Sequence, residues 1–293
     1  MSDYYWDTQI EYLRNTRWLY YNDDYLEFLV TKVWKIHKPV NIIDYGCGYG
    51  YLGIKLLPLL PEGSTYTGID KGEELIRKAK DIFHNLPYQT EFIAEDIERF
   101  EVGTKYDIAM CHAFLLHMND PTSILGKMKD SVRDKGKVIC FETHWIANMA
   151  NYGFDDLEPS QVIRLGILQK LFEADAKSGG KQGNIGIRIP IILSQLGLNH
   201  VECRVSDKVN FLDRNMDRDS KYKLFRSLRE DGIGQEPGDE MEIIDNLMSR
   251  GLTEEEAKAQ YEAELKFSKE FGEDFWLTCA PNMKITFGTV VHK

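Results

Sequence analysis

Val40-Asn41-Ile42-Ile43, then Asp44-Tyr45-Gly46-Cys47-Gly48-Tyr49-Gly50, then Tyr51-Leu52-Gly53-Ile54-Lys55-Leu56-Leu57 is the stretch on which the fold turns. The short apolar run at its start reads as a buried strand, and the stretch after Gly50 reads as a helix. Between them, Gly46, Gly48 and Gly50 remove side chains where backbone must approach a ligand closely. The spacing departs from the dinucleotide fingerprint Gly-x-Gly-x-x-Gly, because position 51 is Tyr. In that fingerprint the loop and the helix N-terminus serve a pyrophosphate, whereas an acid at position 44 suits a ligand carrying a cationic amine. Taken alone, such a loop also fits an ordinary glycine-rich turn. The residues downstream decide between the two.

Outward from the loop, short apolar runs alternate with helical stretches. Val40 to Ile43, Tyr66 to Ile69, Phe92 to Ala94, Ile108 to Met110 and Val138 to Phe141 read as strands, each bounded by turn or charge signals. Tyr51 to Leu57, Glu73 to Phe83 and Thr122 to Val132 read as helices; in the second, Leu75, Ile76, Ala79, Ile82 and Phe83 make one apolar stripe. Strands buried on both faces and separated by helices imply a parallel sheet with right-handed crossovers, hence a doubly wound α/β fold. Upstream, residues 1–21 are rich in aromatics without a period, and a helix capped by Asn22 or Asp23 carries Leu26, Leu29, Val30 and Val33 on one face. Downstream, a helix is expected from Ser160 to Ala176, a glycine-rich hinge at Gly179, Gly180, Gly183 and Gly186, a helix from Ile187 to Leu196, and a strand from Val201 to Phe211. Residues 213–280 are strongly charged and helical, with a capping box at Thr253-Glu254-Glu255-Glu256 opening a helix through Phe271. Because Met283 to Val291 is strand-like again, this stretch reads as an insertion in the connection between two antiparallel strands at one sheet edge.

Composition narrows the function classes. The chain has 293 residues, 43% of them hydrophobic, enough for one elaborated domain or two small ones. Its five cysteines, Cys47, Cys111, Cys140, Cys203 and Cys279, are widely spaced without a Cys-x-x-Cys pair, against both a disulfide framework and a zinc cluster. No metal site is therefore expected. A net charge of −11 opposes a phosphate backbone, so nucleic acid is not an expected partner. Neither a signal peptide nor a membrane span is visible, and a cytoplasmic protein is expected.

Asp70 closes the second strand twenty residues past Gly50, where an acid can accept hydrogen bonds from both hydroxyls of an adenosine ribose; the alternative is a cap for the next helix. Asp96, just past the third strand, could accept from an adenine amino group while Ile97 packs on the ring, or be a solvated loop acid.

Asp44-Tyr-Gly-Cys-Gly-Tyr-Gly50, Gly68-Ile-Asp70, Ala94-Glu-Asp96-Ile97 and Tyr106-Asp-Ile-Ala-Met-Cys-His-Ala-Phe-Leu-Leu-His117-Met-Asn-Asp-Pro121, in this order, resemble the successive motifs of class I methyltransferases dependent on S-adenosylmethionine (SAM). The subgroup resembled is that of small-molecule enzymes akin to the ubiquinone and menaquinone methyltransferases. The resemblance covers about residues 40–142 and extends faintly into Ile189 to Gly197. It implies a Rossmann-like, mostly parallel seven-stranded sheet whose last strand is antiparallel, with SAM as cofactor and S-adenosylhomocysteine (SAH) as product. It places Gly46 and Gly48 along the methionine moiety, Asp70 at the ribose, Asp96 and Ile97 at the adenine, and main-chain groups near Cys111 at the amino group. Asp44, Cys47 and Lys71 are counted with them.

On this reading residues 1–38 form a helical segment over the cofactor. Residues 39–212 and 281–293 form the SAM domain, with helical cap elements at 145–185, and 213–280 form a helical lid. Displacement at a sulfonium methyl requires positioning and water exclusion, and a base only where the acceptor must lose a proton. His112, His117 and His144, near the ends of the fourth and fifth strands, are the base candidates, with packing as the alternative for each. After Met110 the sequence is Cys-His-Ala-Phe, not the Asn- or Asp-Pro-Pro-Tyr that related enzymes use on planar amines, so a small acceptor methylated at oxygen or carbon is expected. Two other readings stay open: a SAM- or SAH-binding regulator without turnover, and an NAD-dependent oxidoreductase, which Tyr51 opposes.

Overall fold

The computed structural model describes residues 4–292. In chain order its strands are β1 (Asn41–Tyr45), β2 (Thr65–Asp70), β3 (Gln89–Ala94), β4 (Tyr106–His112), β5 (Val132–Glu142), β6 (Tyr152–Phe154), β7 (Asn199–Val205), β8 (Asn210–Leu212), β9 (Leu277–Cys279) and β10 (Lys284–Thr289). Seven of them form one sheet in the order β3-β2-β1-β4-β5-β10-β7. β1 to β5 pair in parallel, and β10 runs antiparallel to both its neighbours. This is the Rossmann-like arrangement, with strand order reversing between β1 and β4. The two carboxyl ends diverge there and leave a crevice, which is where open α/β sheets bind ligands.

The central parallel strands β1, β2 and β4 are buried on both faces, as parallel strands require, while the edge strands β3 and β7 are largely exposed. Ile42, Tyr66, Met110 and Phe141 pack on one side with the helices Asp23–Phe28, Tyr51–Leu56 and Glu73–Phe83; Ile43, Ile69, Cys111 and Cys140 pack on the other with Pro121–Ser131 and Ile189–Gln195. The helix Glu73–Phe83 has the limits its apolar stripe predicts, burying Leu75, Ile76, Ala79 and Phe83. The helix expected through Val33 is α-helical only over Asp23–Phe28 and continues as a wider π-turn over Leu29–Val33, with Trp34 N–H bonded to Leu29 O.

Three expectations change beyond β5. The strand expected over Val201 to Phe211 is two strands in two sheets: β7 ends at Val205, and β8 joins β6 and β9 in a separate three-stranded sheet, ordered β6-β9-β8. Asn210, the first residue of β8, is buried there and donates its side-chain N–H to Leu19 O (3.0 Å). The helix expected from Ser160 to Ala176 breaks into Pro159–Val162 and Leu165–Lys177 where Ile163 turns extended (φ −130°). Of the four glycines expected to form a hinge, Gly183 and Gly186 allow close packing, whereas Gly179 has open space: a Cβ on Gly186 would stand 2.6 Å from Glu142 O, and one on Gly183 would meet the Trp145 ring. Gly186 N–H bonds Thr143 O (2.9 Å) and Trp145 N–H bonds Gly183 O (3.0 Å), which pins this turn to the end of β5.

The charged stretch after Asp213 lies between β7 and β10, which pair antiparallel. Its helices Arg218–Glu230, Glu240–Ser249 and Glu254–Glu270 bury Leu224, Leu228, Ile244, Leu247 and Phe267 in the same apolar core as Leu168, Leu171 and Phe172 of the 145–177 segment. Thr253 and Glu256 close the capping box reciprocally, at 3.1 and 3.2 Å. Among the described residues no helix is long and apolar enough to cross a membrane.

Candidate cofactor and active site

All three loop glycines adopt left-handed backbone, at φ +71°, +56° and +85° for Gly46, Gly48 and Gly50, which explains why glycine stands at each. A Cβ on Gly46 would strike Phe114, and one on Gly50 would strike Phe83. A Cβ on Gly48 would meet nothing within 4 Å, so this glycine opens space for a ligand. Gly46 and Cys47 N–H groups bond Ile69 O at 2.9 and 3.0 Å, and Gly48 N–H donates to Asp70 Oδ2 (2.9 Å). Asp70 Oδ1 accepts from Gly72 N–H (2.8 Å), so this one carboxylate holds both the glycine loop and the turn into the next helix. It keeps lone pairs free for further donors.

The loop borders a cavity of about 640 Å³, open solvent at its mouth included, at the β1/β4 divergence. Of the residues singled out from the sequence, Asp44, Gly46, Cys47, Gly48, Asp70, His112 and His117 line it. Asp44 is 1% exposed; its Oδ2 accepts from Tyr66 O–H at 2.5 Å, while its Oδ1 has no partner. Burial raises its pKa to about 7 against the opposing Tyr66 bond. A buried carboxylate with one unsatisfied oxygen beside an open glycine fits a cationic amine, the group that the SAM methionine moiety carries.

The other residues are placed differently. Cys111 is fully buried in β4 with its Sγ 3.6 Å from Glu142 Oε1, and only its successors His112, Ala113 and Phe114 reach the cavity wall. Lys71, Asp96 and Ile97 do not line the cavity: Asp96 bonds Glu98 N–H (3.0 Å) and Lys71 Nζ (3.2 Å), and Ile97 is buried in the core. His144 faces another cleft, with Gln169, Phe172 and Glu173. The two histidines of the cavity are both held neutral at pH 7. Burial, aided by Arg17, pushes His112 well below the usual imidazole range, and burial with Lys181 and Arg17 takes His117 to about 4. His112 is boxed by Tyr21, Tyr51 and Phe141, and His117 stands edge-on to Trp6 at 5.0 Å.

Three groups were not visible as site residues in the sequence. Arg17 lines the cavity partly buried, its guanidinium over the Tyr20 ring at 5.8 Å, with no carboxylate in ion-pair range and no side-chain hydrogen bond among the described residues. Glu142, at the end of β5, is buried; its Oε1 accepts from Phe114 and Leu115 N–H at 2.9 and 2.8 Å and so shapes the turn that covers Gly46. Its position at a strand's carboxyl end was the available signal. Asp7 accepts from Glu74 and Leu75 N–H, both at 3.1 Å, capping a helix 67 residues away in the chain. With Tyr4, Trp6, Leu13 and Arg17 on the wall, the N-terminal segment closes one side of the cavity. Among the described residues no group of three or more His, Cys, Asp or Glu is placed to hold a metal ion.

Comparison with known proteins agrees with this geometry. A methyltransferase-domain family model matches residues 36–176. The malonyl-[acyl-carrier protein] O-methyltransferase of Acetivibrio thermocellus is 35% identical over 104 residues, covering 36% of this chain and 35% of that protein. The ubiquinone biosynthesis O-methyltransferase of Escherichia coli is 32% identical over 102 residues, covering 33% and 40%. The chain thus spans well under half the length of either relative. Among solved structures, a Bacillus halodurans protein described as a methyltransferase superposes with a TM-score of 0.52 at 10% identity, over 92% of this chain and 99% of that one. Haemonchus contortus phosphoethanolamine N-methyltransferase 2 gives 0.52 at 12%, over 98% and 57%. These structures share the fold. Residues 36–176 are thus similar to a methyltransferase domain, on a fold that these solved structures share.

Proposed function

We propose that the chain transfers the methyl group of SAM to a small organic acceptor at oxygen or carbon. The observation that carries this is the cavity at the β1/β4 divergence, where the unpartnered Asp44 Oδ1 and the open space at Gly48 meet. SAM, when bound, supplies an electrophilic methyl on a sulfonium. In this reading Asp44 holds the amino group, Gly46 and Gly48 let the methionine chain lie against backbone, and Asp70 uses its spare lone pairs on the ribose. Lys71, Asp96, Ile97 and Cys111 act at most from outside the wall.

Displacement needs the acceptor held at roughly 3 to 3.5 Å in line with the methyl and water kept out. Tyr4, Trp6, Tyr49 and Tyr51 supply the covering wall; in this reading the 145–185 and 213–280 segments would close over the acceptor. His117, neutral at pH 7, is the imidazole able to take a proton from a hydroxyl acceptor. The two curated relatives are named as O-methyltransferases, which supports oxygen as the acceptor atom. Arg17, its donors unused, suits an acidic group on a bound molecule.

The test is incubation with SAM labelled at the methyl and panels of phenols, carboxylic acids and activated carbon acids, following SAH release and label transfer. Stoichiometric label in one acceptor supports the reading. Tight SAM binding without turnover on any panel would favour a SAM-binding regulator instead.

A further inference from the structure

A second cavity, of about 890 Å³ with open solvent included, lies in the core shared by the 145–177 and 213–280 segments, and none of its wall residues lines the first. Met149, Ile163, Leu168 and Phe267 form the apolar part of its wall, beside the polar Gln235, Glu236, Gln260 and Glu264. The helix Glu254–Glu270 sets Gln260 and Glu264 one turn apart, both on this wall. Gln260 is 2% exposed, and its Nε2 donates to Glu264 Oε1 at 2.7 Å. An ionised carboxylate only accepts, so this bond fixes which way the amide faces. Gln260 Oε1 is then left buried with no partner.

Glu264 is short of a counter-charge. No Lys, Arg or His lies within ion-pair distance of it among the described residues, and none lines the cavity. The cation whose field reaches it, Arg250, is committed to Asp175 through bonds of 3.0 and 2.7 Å. Glu236, on the rim, is a second acid. The wall therefore offers an orphaned carbonyl and an unpaired carboxylate over an apolar floor. The missing partner must bring N–H donors, positive charge and apolar surface together. A neutral alcohol would satisfy Gln260 but not Glu264, a quaternary ammonium Glu264 but not Gln260, and an anion neither.

We propose that this cavity binds a primary ammonium group carried on an apolar body, its N–H donating to Gln260 Oε1, its charge facing Glu264 and its apolar part resting on Ile163, Leu168 and Phe267. The site is separate from the methyl-transfer reading and does not rest on it.

The test is titration calorimetry of the full chain at pH 7, with and without saturating SAH, using 2-phenylethylamine, tryptamine and octylamine against 2-phenylethanol and 3-phenylpropionate. The expected result is one equivalent of at least one amine bound at least about ten-fold more tightly than the alcohol, no binding of the carboxylate, and no displacement by SAH. Glu264→Gln, which preserves shape, and Gln260→Leu should each weaken the amine about ten-fold or more and leave SAH affinity unchanged. The proposal is overturned if no amine outbinds the alcohol on the wild-type chain, if Glu264→Gln binds the amine as before, or if SAH competes with it.

Discussion

Asp44 is a carboxylate that the fold withdraws from water without giving it a full set of donors, and its proton equilibrium records this. Burial lifts its pKa to about 7. A protonated amine bound at Oδ1 would favour the ionised form, so binding should release a proton and SAM affinity should rise with pH up to about 7, by at most roughly ten-fold per pH unit. Asp44→Asn should weaken SAM about 10- to 100-fold, as expected for losing a charged hydrogen bond, and flatten that pH dependence; calorimetry from pH 5.5 to 8.5 checks both. The stability sign is opposite. The folded state binds this proton more tightly than the unfolded one, so the ligand-free wild type loses stability relative to Asp44→Asn as pH rises from about 4 to about 7, with a constant gap above. Asp44, Gly46, Gly48 and Asp70 were legible because strand, turn and site are contiguous in the chain. Arg17, Glu142 and Asp7 were not, because each acts on residues far away in sequence and sits in no motif.

The N-terminal segment is built from short helical pieces that hold place by contacts to other elements. Tyr51 O–H donates to Arg17 O (3.1 Å), so the residue that breaks the dinucleotide spacing also anchors the segment over the cavity. Asp7 caps the helix Glu73–Phe83 in place of a local residue, since the N-cap position itself is Gly72. Asp7→Ala should cost about 1 kcal/mol in urea unfolding and weaken SAM by a few fold. The turn through Gly183 and Gly186 is the other element whose sequence misleads: glycine runs read as flexible, but here they admit close backbone packing. Gly186→Ala should destabilise by about 1–3 kcal/mol, seen as a lower urea midpoint with unchanged slope; a neutral outcome would show that the turn is loose. The strands and the helix Glu73–Phe83 were legible because their apolar periods match their burial. β8 was not, because Val201 to Phe211 reads as one strand while the chain leaves the main sheet between Val205 and Asn210.

At the scale of the molecule, two cores meet along the N-terminal segment. Tyr20 O–H donates to Asp231 at 2.5 Å, Trp18 Nε1–H to Ser227 at 3.2 Å and Asn210 Nδ2–H to Leu19 O at 3.0 Å, so residues 18–20 lie across the 207–231 stretch. The segment that borders the cofactor cavity is thereby tied to the segment proposed to cover the acceptor. Charge and composition gave no hint of this, since they carry no long-range pairing. A ligand that binds the folded chain alone raises its stability by about 2.7 kcal/mol at one hundred times its dissociation constant. Whether the cavity at the β1/β4 divergence is a SAM site is read most directly by calorimetric titration of the full chain with SAM and, in parallel, with NADH. One equivalent of SAM should bind, displaced by SAH and undisturbed by NADH. Saturable NADH binding, with none for SAM, would contradict the assignment.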